Sequence, residues 1–394
     1  IIIMTTQPFT FTITPKQRAA LLSTEDDGQH DDLPAELLSS MRETYKREGF
    51  VLVRGLLDEE FLTRLRGAGA ALAEKNSYAG DTFASLNFGA IFDFHEEDDG
   101  NVDANNAGAF REAALDSAIP AIIAKALLGT GSSKGDEDET TATLRMLKDA
   151  FMAKGTEQSS CGWHVDDIGF WPVDGSSAGV NTWLALDDMP SEFGGGMAVS
   201  PRSHTADWRR RAYGTIGSTP LLPPEGVTSD FIMTGGFGQT CEMSSLDPQL
   251  NDIIESTKLE FDYEAGDCLF CHRWLFHRSV AINSDGLKHY GDDSALKRYT
   301  IRYEKGSARL LNGISLEPAI LLDSRNSGKT LDEVCEKDGP YYPQWCPRLE
   351  ESRDQKTKMK LLAEKVLPGL QEKRAKVLGE MFAIMKSAAE PKKE

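Results

Sequence analysis

Cysteine and histidine are both scarce. The six cysteines among 394 residues (Cys161, Cys241, Cys268, Cys271, Cys335 and Cys346) are thinly scattered, which excludes the dense disulfide framework of a small secreted scaffold. Positive charge is short too: 43 Lys and Arg against 62 Asp and Glu leave a formal net charge of -19. A field of that sign repels phosphate backbones and anionic lipids, so neither nucleic acid nor a membrane surface is an expected partner. No apolar run is long enough to span a bilayer. The first residues lack a basic region followed by an apolar stretch and a small-residue cleavage site, so the expectation is a reducing, cytoplasmic location. No segment repeats another, and nothing signals an oligomer.

What is present changes texture along the chain. Residues 34–48, PAELLSSMRETYKRE, read as a helix, and GFVLVRGLL after them as a short strand with a β-branched bias. Asp58 is placed to cap a second helix in which Phe61, Leu65, Ala68 and Leu72 form one apolar stripe. Residues 110–128 read as a third helix ending at Gly129, before the polar loop TGSSKGDEDET. From about 143 to 304 short β-like runs alternate with Gly, Pro, Asp and Ser, the pattern of a barrel or sandwich. The tail from about 355 to 388 returns to helix, divided at Pro368. The expected fold is mainly β with flanking helices. Its expected divisions are an N-terminal extension (1–33), a main domain (34–305) and a largely helical C-terminal extension (306–394) packed on the core.

Against seven histidines in all, CGWHVDDIGFWP sets His164 one residue from Asp166. On a strand, residues two apart point to the same face, so an imidazole and a carboxylate can converge on one point. Two histidines and one carboxylate on one face of an octahedron are what an Fe(II) oxygenase needs, with three positions left open. By itself His-x-Asp is as consistent with an ordinary strand end. A second block, AGDCLFCHRWLFHRSVAIN, offers His277 followed by Ser279 and Asn283.

Together with NTWLALDD, GGGMAVSPRSH and EGFVLVRGLLDEE, in the same order along residues 40–305, these blocks resemble the phytanoyl-CoA dioxygenase family of Fe(II)- and 2-oxoglutarate-dependent oxygenases. The resemblance implies a double-stranded β-helix, a jelly roll of cupin type. It implies His164, Asp166 and His277 as metal ligands, with Fe(II), 2-oxoglutarate and O2 as cofactor and co-substrates. His272, five residues before His277, is expected to face the opposite side of a strand and to be packed rather than ligating. The family grips the distal carboxylate of 2-oxoglutarate with an arginine, whose planar fork gives two parallel hydrogen bonds. In SALKRYTIRYE, Arg298 and Arg302 are four apart and share a face, so periodicity leaves both open. The resemblance selects Arg298, although the family's arginine falls a residue or two further upstream, at Leu296 or Lys297 here. It also sets Trp183 beside that carboxylate with Asn181 on its face, positions that core packing and a strand-end turn would equally explain. Arg302 is left for the substrate.

The activity so implied is C–H abstraction from a small-molecule metabolite, ending in hydroxylation, desaturation or oxidative cyclisation, with succinate and CO2 released. A halogenase would need a small residue where Asp166 stands. A catalytically degenerate relative that binds a ligand or partner is the alternative, and intact His164, Asp166 and His277 speak against it. CLFCH also fits a c-type haem attachment motif, but Cys268 and Cys271 are three apart and so on opposite faces of a strand. The basic island Arg209, Arg210 and Arg211 could receive an anionic group of the substrate, although a charge run of this kind is more often a solvated helix face.

Overall fold

The computed structural model describes residues 9–22, 35–75, 85–88, 90–92, 106, 108–116, 119–129, 143–155, 162–165, 171, 173, 177–208, 247–291, 295–310 and 328–335. The loop 130–140, the tail 355–388, Asp166 and Arg209 to Arg211 lie outside them.

The helical N-terminal part follows its sequence closely. Helix α2 (Ala35–Glu48) ends at Gly49, whose φ of 85° lets the chain turn directly into β2 (Phe50–Arg54). Helix α3 (Glu59–Lys75) starts under the Asp58 carboxylate, which accepts the Phe61 N–H at 3.0 Å. Phe61, Leu65, Ala68 and Leu72 are all buried, and fully burying a side chain of the Phe or Leu class contributes about 1.5–3 kcal/mol. The helix expected over 110–128 is instead two pieces. A short α4 (Ala109–Arg111) runs into a π turn (Glu112–Asp116), and α5 (Ile119–Leu128) restarts with Pro120 in its first turn. Proline has no N–H to donate and clashes one turn back, so it opens a helix rather than continuing one.

The β region forms two sheets. The larger takes β1 (Thr10–Thr12), β2, β3 (Ser85–Phe88), β4 (Leu144–Gly155), β5 (Val180–Ala185), β8 (Cys268–His272) and β10 (Ala295–Lys305) in the order β1-β2-β8-β5-β10-β4-β3. The smaller takes β6 (Met197–Val199), β7 (Leu259–Glu260) and β9 (His277–Ser279) in the order β7-β6-β9. Strand alternation splits the large sheet into two faces. Val51, Val53, Phe270, Leu184, Tyr299 and Ile301 join α2, α3 and α5 in one core. Phe50, Leu52, Leu269, Cys271, Trp183 and Ala185 form a second core with Val199 of the small sheet. The two sheets therefore pack face to face, with helices on the back of the larger.

Several features depart from the reading of the sequence. The segment set apart as an N-terminal extension holds β1, which pairs in parallel with β2 and buries Ile13 behind it. The C-terminal segment, expected to pack on the core, touches the main sheet where Asp332 of α8 (Leu331–Cys335) accepts from Arg145 Nε of β4 at 2.8 Å. The stretch read as short β-like runs also includes two helices, α6 (Pro248–Thr257) and α7 (Ser284–Tyr290). Asn283, noted in the sequence only as context for His277, is the cap of α7: its side chain accepts the Asp285 and Gly286 N–H groups. His272 and His277 occupy different strands in different sheets, so their orientations are set by the turn between them, not by alternation along one strand. His272 does point away from the inter-sheet core, towards Tyr45 and His204 at ring separations of 5.8 and 4.9 Å. Cys268 and Cys271 lie in opposite cores, which leaves no common face for a haem.

Candidate functional site

Two histidines far apart in sequence are brought opposite each other by a single antiparallel bridge. His164 and His277 exchange both backbone bonds, each N–H donating to the other's carbonyl at 3.0 Å. Residues facing one another across such a bridge send their side chains to the same side, and the two imidazole centroids are 4.3 Å apart. That side is the interior, because His277 also pairs with Val199, which belongs to the inter-sheet core. The flanking Trp163, Val165 and Phe276 pack in a separate cluster on the outer side.

The tautomer is constrained as well. His164 Nδ1 lies 2.7 Å from the Gly162 carbonyl and His277 Nδ1 lies 3.0 Å from the Leu275 carbonyl. A carbonyl oxygen can only accept, so each Nδ1 carries the proton and a neutral ring presents its lone pair at Nε2. That is the arrangement in which backbone carbonyls orient metal-binding imidazoles, and the donor chemistry fits a divalent metal such as Fe(II). Asp166, the expected carboxylate, lies outside the described residues.

The opposite wall is the inner face of the large sheet. Arg298, Thr300 and Arg302 of β10 stand opposite Ala185, Trp183 and Asn181 of β5, and opposite Met152, Ala150 and Lys148 of β4. Both arginines are thus on the interior face, as their spacing requires, and both are buried. Their surroundings differ. The Arg298 guanidinium lies over the Trp183 ring at 5.8 Å and donates from Nη1 to the Gly195 carbonyl at 3.3 Å, while its buried Nε and Nη2 have no hydrogen-bond partner among the described residues. Burial lowers its pKa to about 10, against the opposing pull of Asp187 and Tyr290, so it remains charged at neutral pH. Arg302 sits two same-face steps along, past Thr300, directly across from Asn181 and Lys148.

Two cations of this face were not singled out from the sequence. Lys148 and Lys154 of β4 are buried, and burial together with the charge of Arg298 pushes the Lys154 amine down to about 8. Their signal was a basic residue recurring on one face of a strand that otherwise reads as core. His272 stands on the far side of the sheet, and Arg209 to Arg211 lie outside the described residues.

Comparison with known proteins bears on the fold and on the family. Solved structures with the same fold include the non-haem α-ketoglutarate-dependent carbocyclase SnoK from nogalamycin biosynthesis, with a TM-score of 0.50 at 20% identity over 81% of this chain and 97% of that one. The epimerase SnoN from the same biosynthesis matches with a TM-score of 0.50 at 18% identity, over 80% of this chain and 99% of that one. Identities this low speak to fold alone. No curated protein matches the sequence, and among the described residues no helix is long and apolar enough to cross a membrane. The sequence profile of phytanoyl-CoA dioxygenase matches residues 45–290, more than half of the chain, from the last turn of α2 to the end of α7. The chain belongs to the phytanoyl-CoA dioxygenase family of iron- and 2-oxoglutarate-dependent oxygenases.

Proposed function

We propose that this protein is an Fe(II)- and 2-oxoglutarate-dependent oxygenase that abstracts hydrogen from a C–H bond of a small-molecule metabolite, and that its core is a double-stranded β-helix. The observation that carries the reading is the His164–His277 bridge, with both Nδ1 protons committed to backbone carbonyls and both rings turned into the space between the sheets. Asp166 is assigned as the carboxylate ligand from the sequence, two positions after His164. The metal, once bound, supplies the oxidising chemistry that couples decarboxylation of 2-oxoglutarate to attack on the substrate.

The protein's own part is placement. The two carbonyls hold the imidazoles in one tautomer and one orientation, so no reorganisation accompanies metal entry. Arg298 is assigned to the distal carboxylate of 2-oxoglutarate, because its two unpartnered donors can form a bidentate charged pair. Trp183 walls that position and keeps water from competing with the pair. Arg302, further along the same face, is assigned to the substrate side, and Asn181 opposite it completes that wall.

The test is to supply Fe(II), 2-oxoglutarate, O2 and a metabolite pool, and to follow succinate together with products that gain one oxygen or lose two hydrogens. Succinate formed in step with such a product supports the reading. A protein that binds metal and 2-oxoglutarate but forms neither succinate nor product under any pool is a binding protein on an oxygenase fold.

A further inference from the structure

The segments that carry the two histidines are joined a second time, on their outer side, by one carboxylate. Trp163, the residue before His164, donates its indole Nε1–H to Glu255 Oε2 at 2.6 Å. Arg278, the residue after His277, donates to the same carboxylate, from Nη2 to Oε1 at 2.9 Å and from Nε to Oε2 at 3.2 Å. The guanidinium also lies over the Trp163 ring at 5.3 Å, so the two neighbours touch each other as well as Glu255.

Helix α6, which carries Glu255, is fixed against the same segments. Leu250 and Ile254 pack with Trp163, Val165, Ala198 and Phe276 in one buried cluster, and Asp247 caps the helix by accepting the Leu250 N–H at 2.9 Å. Lys258 and Glu260 extend the ion network at its rim, through Lys258 to Glu255 at 2.8 Å and Arg278 to Glu260 at 3.0 Å.

We propose that Glu255 is a positioning residue for the metal site, a clamp that sets the separation of His164 and His277 by holding their immediate neighbours on the reverse face. The physical reason is geometric. The bridge between the two segments is a single residue pair at His164 and His277, not a continuous ladder, so its two backbone bonds leave a hinge. Three side-chain bonds to one carboxylate remove that freedom. Bonds that involve a charged group are each about twice as strong as neutral ones, and the depression of the Glu255 carboxyl to about 2 reflects them: partial burial opposes ionisation, but Lys258, Arg278 and Trp163 outweigh it.

The inference rests on the reading of His164 and His277 as metal ligands, and the experiment separates the two. Mn(II), a stable stand-in for Fe(II), is titrated into the full chain and read by electron paramagnetic resonance, with melting temperature measured in parallel. Glu255→Gln keeps one acceptor oxygen but not the charge, and is expected to weaken Mn(II) about tenfold, the lower end of the effect of groups that orient metal ligands. Trp163→Phe should weaken it in the same direction, and the double variant by less than the sum, because both changes open the same clamp. Leu65→Ala, in the core behind the large sheet and away from α6 and both histidine segments, should lower the melting temperature and leave Mn(II) affinity as in the wild type. Wild-type affinity in Glu255→Gln and Trp163→Phe overturns the clamp, as does an equal loss in Leu65→Ala, which would mark general destabilisation as the cause. His164→Ala serves as reference: if it too keeps wild-type affinity, the metal reading itself fails.

Discussion

Arg298→Met separates stability from co-substrate binding by moving them in opposite directions. Methionine keeps a long flexible body of similar volume beside Trp183 and Leu296 but removes the charge. In the protein without 2-oxoglutarate, the guanidinium is buried with one hydrogen bond among the described residues, and burial lowers its pKa from the usual arginine range to about 10. At 1.36 kcal/mol per pH unit that lowering corresponds to roughly 3 kcal/mol against the charged form. Replacing such a charge by an apolar side chain is expected to leave the protein as stable or more so by about 1–3 kcal/mol, a rise of a few degrees in melting temperature at ~2–4 °C per kcal/mol. Binding goes the other way. Two hydrogen bonds between charged partners at about 1.5 kcal/mol each amount to roughly 3 kcal/mol, or about a hundredfold in affinity. The assay is a thermal melt with a non-oxidising divalent metal, titrated with 2-oxoglutarate. Wild type should melt progressively higher as 2-oxoglutarate rises, whereas Arg298→Met should start level or higher and respond only at concentrations about a hundredfold greater. A full wild-type response in Arg298→Met, paired with a lost response in Arg302→Met, would refute the assignment and move the carboxylate two same-face steps along β10.

The remaining predictions address other links in the argument. His164→Ala and His277→Ala should each abolish metal binding and turnover, while His272→Ala keeps both. The cost of His272→Ala is confined to stability, about 1 kcal/mol for the lost bond from the Trp274 N–H to His272 Nδ1, read by denaturant melts. With Asp166 in the carboxylate position, products made in concentrated chloride or bromide should carry no halogen by mass spectrometry, and a chlorine isotope pattern from wild type would overturn the oxygenase outcome. Lys154 binds its proton more weakly in the folded chain, at about 8, than in the unfolded chain near 10.5. Between those values the unfolded state holds more protons, so stability should rise with pH over about 8 to 10.5, by up to roughly 3 kcal/mol, and Lys154→Met should flatten that rise in pH-dependent melts. Gly194→Ala places a Cβ 2.1 Å from the Ala281 carbonyl oxygen at a φ of 82°; a loss of more than about 2 kcal/mol is expected, since the left-handed backbone alone costs roughly 1–2.

Local sequence determined the elements whose signals are local. The Asp58 cap and the stripe Phe61, Leu65, Ala68 and Leu72 define α3, because helix geometry links residues three and four apart. The shared face of Arg298 and Arg302, and the opposed faces of Cys268 and Cys271, follow from the two-residue period of a strand. Everything that depends on which strand lies beside which was decided by the tertiary structure. His164 and His277 each sit in a recognisable block, but their rings meet because a bridge forms between segments with no contact along the chain. Arg298 and Arg302 are equivalent by periodicity and become distinct only through register, which sets one against Trp183 and Gly195 and the other across from Asn181 and Lys148. Residues 9–13 carry too short an apolar pattern to announce a strand, yet β1 completes the edge beside β2. Glu255 stands in a stretch read only as β-like runs and carries no signal of its own, and only the packing of α6 on the small sheet brings its carboxylate to the neighbours of both histidines. Periodicity is a property of one segment, whereas pairing, register and the convergence of charges are properties of several, and the free energy that selects them is gained only when the whole core closes.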